Sequence, residues 1–333
     1  MKTKILSRLA IAAILAGTLF VACKKSSAPA DNGTSSADIQ VQSDDQANVS
    51  NETDAIENDA NTAMGSYASV SGASTQSVGY GQGKTIEGVQ GVNTPLICDA
   101  TITVDSSSDP RTITLTYNGT GCNPNRVRNG VVVISIPANK HWRDTGAVVT
   151  VKFESLKITN LINLKSITIN GTHTYTNVSG GSLLALYEGV SKIIVHSITS
   201  SNMSITFDNN AQRTWSVARQ RTWTYANQNV TITTTGMHSD GSTAGISEWG
   251  TNRFGNTFET VIAPTNPLVI QSGCSWNLTS GQVQVIRPDV TTTVTFGLDA
   301  NGKATGCPVT GTPFYFKLVW QGPNQSNTFI LPY

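Results

Sequence analysis

Charge is what this chain has least of. Of its 333 residues, 13% are Asp, Glu, Lys or Arg, against about 25% in an ordinary soluble domain. A basic nucleic-acid binder, a coiled coil and a charge-rich disordered chain all need more than this. The surface must therefore be covered by Thr, Ser, Asn and Gln. Long apolar runs are missing as well. The first of them, residues 9–21, has thirteen positions, where a bilayer span needs roughly 20. The four histidines (His141, His173, His196, His238) are scattered, with no His-Glu-x-x-His and no Cys-x-x-Cys, so no metal centre is expected. No Gly-x-Ser-x-Gly elbow offers a serine nucleophile. Gly81-Gln82-Gly83-Lys84-Thr85 has Val78 where a phosphate loop needs glycine, and reads as plain connecting chain. Neither a cofactor nor an enzymatic activity is expected, and nucleic acid is excluded as a partner.

What is present begins with an address. Lys2, Lys4 and Arg8 precede the apolar run, which stops at Ala22-Cys23, the layout of a secretory signal. Phe20-Val21-Ala22-Cys23 resembles the lipobox of bacterial lipoproteins. That resemblance implies removal of residues 1–22 and acylation of Cys23, with more than one acyl chain for stable anchoring. It also implies an outer-membrane destination, because Lys24 stands where an inner-membrane retention signal has Asp. The expected location is thus the cell envelope, lipid-anchored, on either side of the outer membrane.

Residues 23–90 hold nine acidic residues and three lysines, and are rich in Ser, Ala, Asp, Asn and Gly. A chain of that composition buries too little apolar surface to fold alone, so it is expected to be a flexible acidic tether. Within it, Val49, Thr53, Ile56, Ala60, Ala63 and Met64 recur at helical spacing behind a Ser43-Asp44 cap, which predicts a short helix over 44–64 whose weak apolar stripe either docks on the body or stays solvated. The remaining residues, 91–333, hold sixteen basic and twelve acidic residues and form a mildly basic body.

The body alternates with period 2. Ile113, Leu115 and Tyr117 interleave with threonines, as do Val149, Val151 and Phe153, and Phe314, Phe316, Leu318 and Trp320 also recur at alternate positions. Apolar residues facing one way and Thr the other describe antiparallel strands. Asn118-Gly119, Asn170-Gly171 and Asn301-Gly302 supply turn chemistry between such runs. The fold class is all-β, as a long antiparallel meander or sandwich-like sheets, with only 183–187 hinting at a helical turn. An internal pseudo-repeat relates 98–136 to 274–320. Each unit runs from a cysteine through a threonine-rich strand and a Gly-Cys pair to an apolar strand. Four exported cysteines allow three connectivities, of which the repeat favours Cys98–Cys122 and Cys274–Cys307. Together with the Arg-Gln-Arg-Thr-Trp-Thr run at 219–224, this pattern is similar to that of uncharacterised β-rich outer-membrane lipoproteins of Bacteroidota. The resemblance implies an anchored envelope protein and assigns no activity.

One stretch is chemically unusual. On a strand, Arg213, Trp215, Arg219, Arg221, Trp223 and Tyr225 share one face. Arg beside Trp offers cation–π contacts, so this face reads either as a platform for a glycan or anionic polymer or as a ladder stiffening a long sheet. Trp249, in the Gly- and Ser-rich stretch 239–256, is the second candidate, as an aromatic borne on a loop. Glu154, Glu188, Asp240, Glu248 and Glu259 are carboxylates that a hydrolase could pair. The expected function is non-catalytic glycan or matrix binding at the envelope. The alternatives are a structural or assembly role with envelope protein partners and, behind it, a carbohydrate-active hydrolase.

Overall fold

The computed structural model describes residues 36–72, 97–119, 126–161, 164–182, 185–186, 188–274, 277–307, 313–322 and 326–332. The signal, Cys23 with its lipobox, the 81–85 stretch and Cys122 lie outside the described residues.

A long helix, α1 (Ser36–Ser66), leads through Tyr67 into the single turn α2 (Ala68–Ser71). The first half of the body is a meander: β1 (Ala100–Asp105), β2 (Arg111–Asn118), β3 (Arg126–Ile136), β4 (Ala147–Asn160), β5 (Ser166–Asn177), β6 (Ile193–Phe207) and β7 (Gln212–Ala226). Next come β8 (Asn229–Gly236), β9 (His238–Ser239), β10 (Ala244–Thr251), β11 (Thr257–Val261) and β12 (Leu268–Gln271). The chain closes with β13 (Asn277–Ile286), β14 (Thr291–Leu298), β15 (Tyr315–Gln321) and β16 (Ser326–Pro332). All sixteen strands belong to one sheet, antiparallel at every pairing. The all-β reading holds, as one continuous sheet and not as two packed ones.

Between β7 and β13 the sheet forks. The first half of β7 pairs with β10, which leads through β11 to the far half of β13. The second half of β7 pairs with β8, which leads through β12 to the near half of β13. The two repeat units are both three-stranded meanders, β1–β2–β3 near one end of the sheet and β13–β14–β15 near the other. Cys274 and Cys307 form a disulfide, with Cα atoms 5.3 Å apart. Cys98 is disulfide-bonded too.

A line of register irregularities crosses the first half of the sheet. They fall between Asn129 and Val131, Phe153 and Leu156, Asn170 and His173, and Ser200 and Met203. Each bulge bends its strand and adds local twist, and four aligned bulges bend the sheet along a line. Gly130 and Gly171 lie on that line with φ of +130° and +132°. A Cβ on Gly130 would come within 2.6 Å of the Ser155 carbonyl oxygen, so only glycine fits where the strands close up.

Of the segment expected to be a flexible tether, residues 36–72 are described, and they form part of the core. Its helix runs from 36 to 66, longer than the 44–64 reading, and one stripe of it is fully buried. Val49, Ile56, Ala60, Ala63 and Met64 join Leu115, Val132, Phe153, Leu156 and Ile205 in the main apolar cluster. A sheet this long has two broad faces, and one of them must be covered by something. Over β2 to β7 the helix supplies that cover. Asn, Asp, Ser and Thr dominate α1, and these are weak helix formers, so its stability comes from packing on the sheet and not from propensity. No described helix is long and apolar enough to cross a membrane.

Candidate functional site

Strand alternation sorts the candidate residues onto two faces. The inner face carries α1 and the outer face looks away from it. Arg213, Trp215, Arg219, Arg221 and Trp223 are all inner and all buried, and Tyr225 is partly so. The reading of this row as an open platform is therefore corrected, because α1 lies over Arg213 to Arg221, while Trp223 and Tyr225 pack with Leu186, Ile194, Val230 and Ile232. Uniformly large side chains on one strand face mark a surface to be covered as readily as a surface to bind with.

Acidic residues of the helix meet arginines of the sheet in sequence. Asp45 takes a two-pronged contact from Arg253, at 2.5 and 2.6 Å. Glu52 pairs with Arg126 at 2.8 Å. Asp54 sits 2.9 Å from both Arg219 and Arg221, and Glu57 3.0 Å from Arg221. Asp59 accepts from Arg128 at 2.8 Å and from the Tyr117 hydroxyl at 2.9 Å. Arg128 in turn grips Asp99 through Nε and Nη2, at 2.7 and 2.6 Å. α1 holds seven acidic residues and no basic one, so its charge is matched to the face it covers.

The expected Arg–Trp stacking takes another form. Arg213 lies over the Phe258 ring at 4.0 Å, Arg253 over Phe207 at 4.1 Å and Arg128 over Tyr117 at 4.3 Å. Trp215 donates its Nε1–H to Glu248 at 3.1 Å. Burial pulls the Arg213 guanidinium down to about 10, against the pull of Glu248 and Asp45. Burial likewise pushes the carboxyls of Asp45, Glu52 and Glu57 above their usual range, though arginines oppose it in each case. Such a seam is closer to a costly specificity device than to a large source of stability, since desolvation offsets much of the attraction in buried pairs.

Two histidines belong to this interior. His173 is ringed by Phe153, Tyr175 and Trp215, and burial first, then Arg219, holds it down at about 3. His196 lies between Trp142 and Trp223, held down at about 4 by burial and then by Arg221. Both are neutral packed residues at physiological pH. Among the described residues, no group of three or more His, Cys, Asp or Glu side chains is placed to hold a metal ion.

Trp249 is on the other side. It lies on β10 and not in a loop, opposite Ser216 of β7 and Glu259 of β11, which puts all three on the outer face. The His238 ring stacks on it, centroids 4.2 Å apart and planes 18° from parallel. Glu259 is pushed up by its partial burial and then by Asp240, with His238 pulling the other way. Of the seven sequence candidates, this one alone sits on the outer face, where it is half-buried beneath the stacked His238 ring.

The five carboxylates disperse. Glu154 is on the outer face, 2.7 Å from Lys152, and Glu188 is exposed in the β5–β6 connection. Asp240 closes its own turn by accepting from the Ser242 and Thr243 amides. Glu248 and Glu259 are on neighbouring strands but opposite faces, since Glu248 pairs with Thr260 while Glu259 pairs with Trp249. The members that sequence reasoning missed are Arg126, Arg128, Arg253 and the acids of α1. No protein-family model, curated protein or solved structure matches the chain.

Proposed function

We propose that this is a lipid-anchored protein of the cell envelope that binds glycan or matrix without catalysis, through the outer face around Trp249. The observation that carries this reading is the division of labour between the faces. The Arg/Trp row has its counter-charges inside the molecule, so a partner meets Trp249, His238 and Glu259 instead. An indole ring beside a carboxylate suits a sugar, whose C–H face packs on the ring while its hydroxyls donate to the acid. With the anchor at Cys23, twelve residues separate it from the first residue of α1. An extended chain of that length reaches at most about 45 Å, so the body would work close to the membrane. Titration of the full chain with soluble glycans, read by Trp fluorescence and calorimetry, tests the reading. Binding that Trp249→Ala removes supports it, and silence across glycans ends it.

A second reading, assembly with protein partners, has its own observation. β16 is exposed along its length, with Phe329, Ile330 and Leu331 each more than a third accessible. Among the described residues no strand pairs with its outer edge, and such an edge accepts an added strand. Crosslinking in cells through residues placed on β16 would recover a stable partner under this reading.

A further inference from the structure

The outer face around Trp249 continues into a hydroxyl array, and the ligand class follows from it. Strand register lines up Thr112, Ser135, Thr150, Thr174 and Thr199 as direct neighbours across β2 to β6. A second row runs through Thr176, Ser197, Gln220 and Thr235 across β5 to β8. Thr222 faces Thr233, and Thr224 faces Thr231. The first row ends at Ala218, two residues along β7 from Ser216, which is the neighbour of Trp249. Beyond Trp249 the face continues as Gln and Thr, with Gln282 donating to Thr295 at 3.2 Å.

Strand geometry fixes the pitch of this array at about 4.8 Å across strands and roughly 6.7 Å along them. Every position of the first row offers a hydroxyl that both donates and accepts, the second row adds the Gln220 amide, and Val131, Val133, Val148 and Val195 stand on the same face between them. Charge is nearly absent. Lys152, Glu154 and Lys157 are the charged residues that β2 to β8 place on this face, and the first two neutralise each other. A polyanion or polycation gains nothing from such a surface, while a neutral chain rich in hydroxyls can exchange its water contacts for protein contacts at many points. The Thr side chains are only half-exposed, so the face is shallow. It fits an extended chain and not a small molecule.

We propose that the threonine-lined outer face of β2 to β8, continued by Trp249, binds an extended neutral polysaccharide. This rests on the glycan-binding reading above and names its ligand class and its extent. The test uses the full chain, with microcrystalline cellulose, chitin, laminarin and mannan as neutral probes and alginate and heparin as anionic ones. The comparison variants are Trp249→Ala and the triple change Thr150→Val, Thr174→Val, Thr199→Val, which keeps shape and strand preference but removes three hydroxyls. The expected result is binding to at least one neutral probe, weakened about tenfold or more by the triple change, with an unaltered melting temperature. Preference for the anionic probes overturns the proposal. Neutral binding lost in Trp249→Ala but unaltered in the triple variant overturns it too, while leaving the Trp249 reading in place. Failure of every probe overturns both.

Discussion

The inner and outer faces of this sheet are built from the same strands, often from adjacent residues, yet they share almost no chemistry. On β7, Arg213, Trp215, Arg219, Arg221 and Trp223 point inward, while Thr214, Ser216, Gln220, Thr222 and Thr224 point outward. The inner face is charged, aromatic and covered; the outer face is hydroxylated, nearly neutral and mostly half-exposed, with Ser216 and Ala218 buried in it. The low overall charge therefore conceals a concentration of charge. Arginines and carboxylates are gathered at the seam between α1 and the sheet, where they fix how the helix sits, and the surface is left to threonine. A buried ion pair contributes little net stability but punishes misplacement, because an unpaired buried charge costs several kcal/mol.

The largest expected effect comes from removing the cover. A chain lacking residues 36–72 bares Val132, Phe153, Leu156, Ile205 and the arginines at once, and is expected to lose cooperative unfolding altogether, as read by calorimetry. Next, Arg128→Ala strands Asp59 and Asp99 in the interior, and should cost about 3–5 kcal/mol in denaturant unfolding. Thr114→Ala, outward on the neighbouring strand, should cost under about 1 kcal/mol. Replacing Cys274 and Cys307 with Ser should cost about 2–4 kcal/mol, since the bridge closes a loop of 33 residues. The difference should vanish when both proteins are measured under reductant.

The faces should also differ in pH response. His173 and His196 have folded pKa values depressed to about 3 and about 4. Their contribution to stability is therefore complete above about 6.5, the ordinary histidine value, and is lost as pH falls through that value towards the folded ones. The raised carboxyls of α1 act in the opposite sense, their contribution being present at low pH and lost as pH rises through their folded values. His173→Phe should remove its share of the acid-side loss, about 1.4 kcal/mol per pH unit in that window, and leave the other slope alone. Thr174→Val, on the outer face, should change neither slope. Melting temperatures from pH 4 to 8 check both statements.

Much of this organisation was legible in the sequence, because period-2 alternation writes both faces of a strand into every second residue. The strands of β2, β4, β14 and β15, the turn at Asn301-Gly302 and the 274–307 bridge follow from local pattern, whereas Asn170-Gly171, expected as a turn, lies within β5 at a bulge. What local pattern could not show is which face is covered. The Arg/Trp row looks like a platform until its counter-charges are found, and these lie some 160 residues earlier, in a segment whose Asn- and Ser-rich composition argues against a stable helix. The signal was nonetheless there. Asp45, Glu52 and Asp59 recur at steps of seven, as do Val49, Ile56 and Ala63, so acids and apolar residues share one helical face. An acid that repeats in step with a buried stripe is a carboxylate expecting a buried partner. Trp249 was read as loop-borne because glycines surround it, but Gly245 and Gly250 sit within β10 itself. There they allow close approach of neighbouring backbone: a Cβ on Gly250 would come within 2.1 Å of the Thr214 carbonyl oxygen.

The acidic helix is a structural part of the fold, seated on the inner face by its match to the arginines. Amide hydrogen exchange on the full chain at neutral pH tests it most directly. Docked packing predicts that amides over 45–64 exchange as slowly as those of β3 and β7, and that Arg128→Ala and Arg221→Ala speed exchange in the helix before the strands. Exchange across 45–64 at the rate of an unstructured peptide, with the strands fully protected, would contradict it.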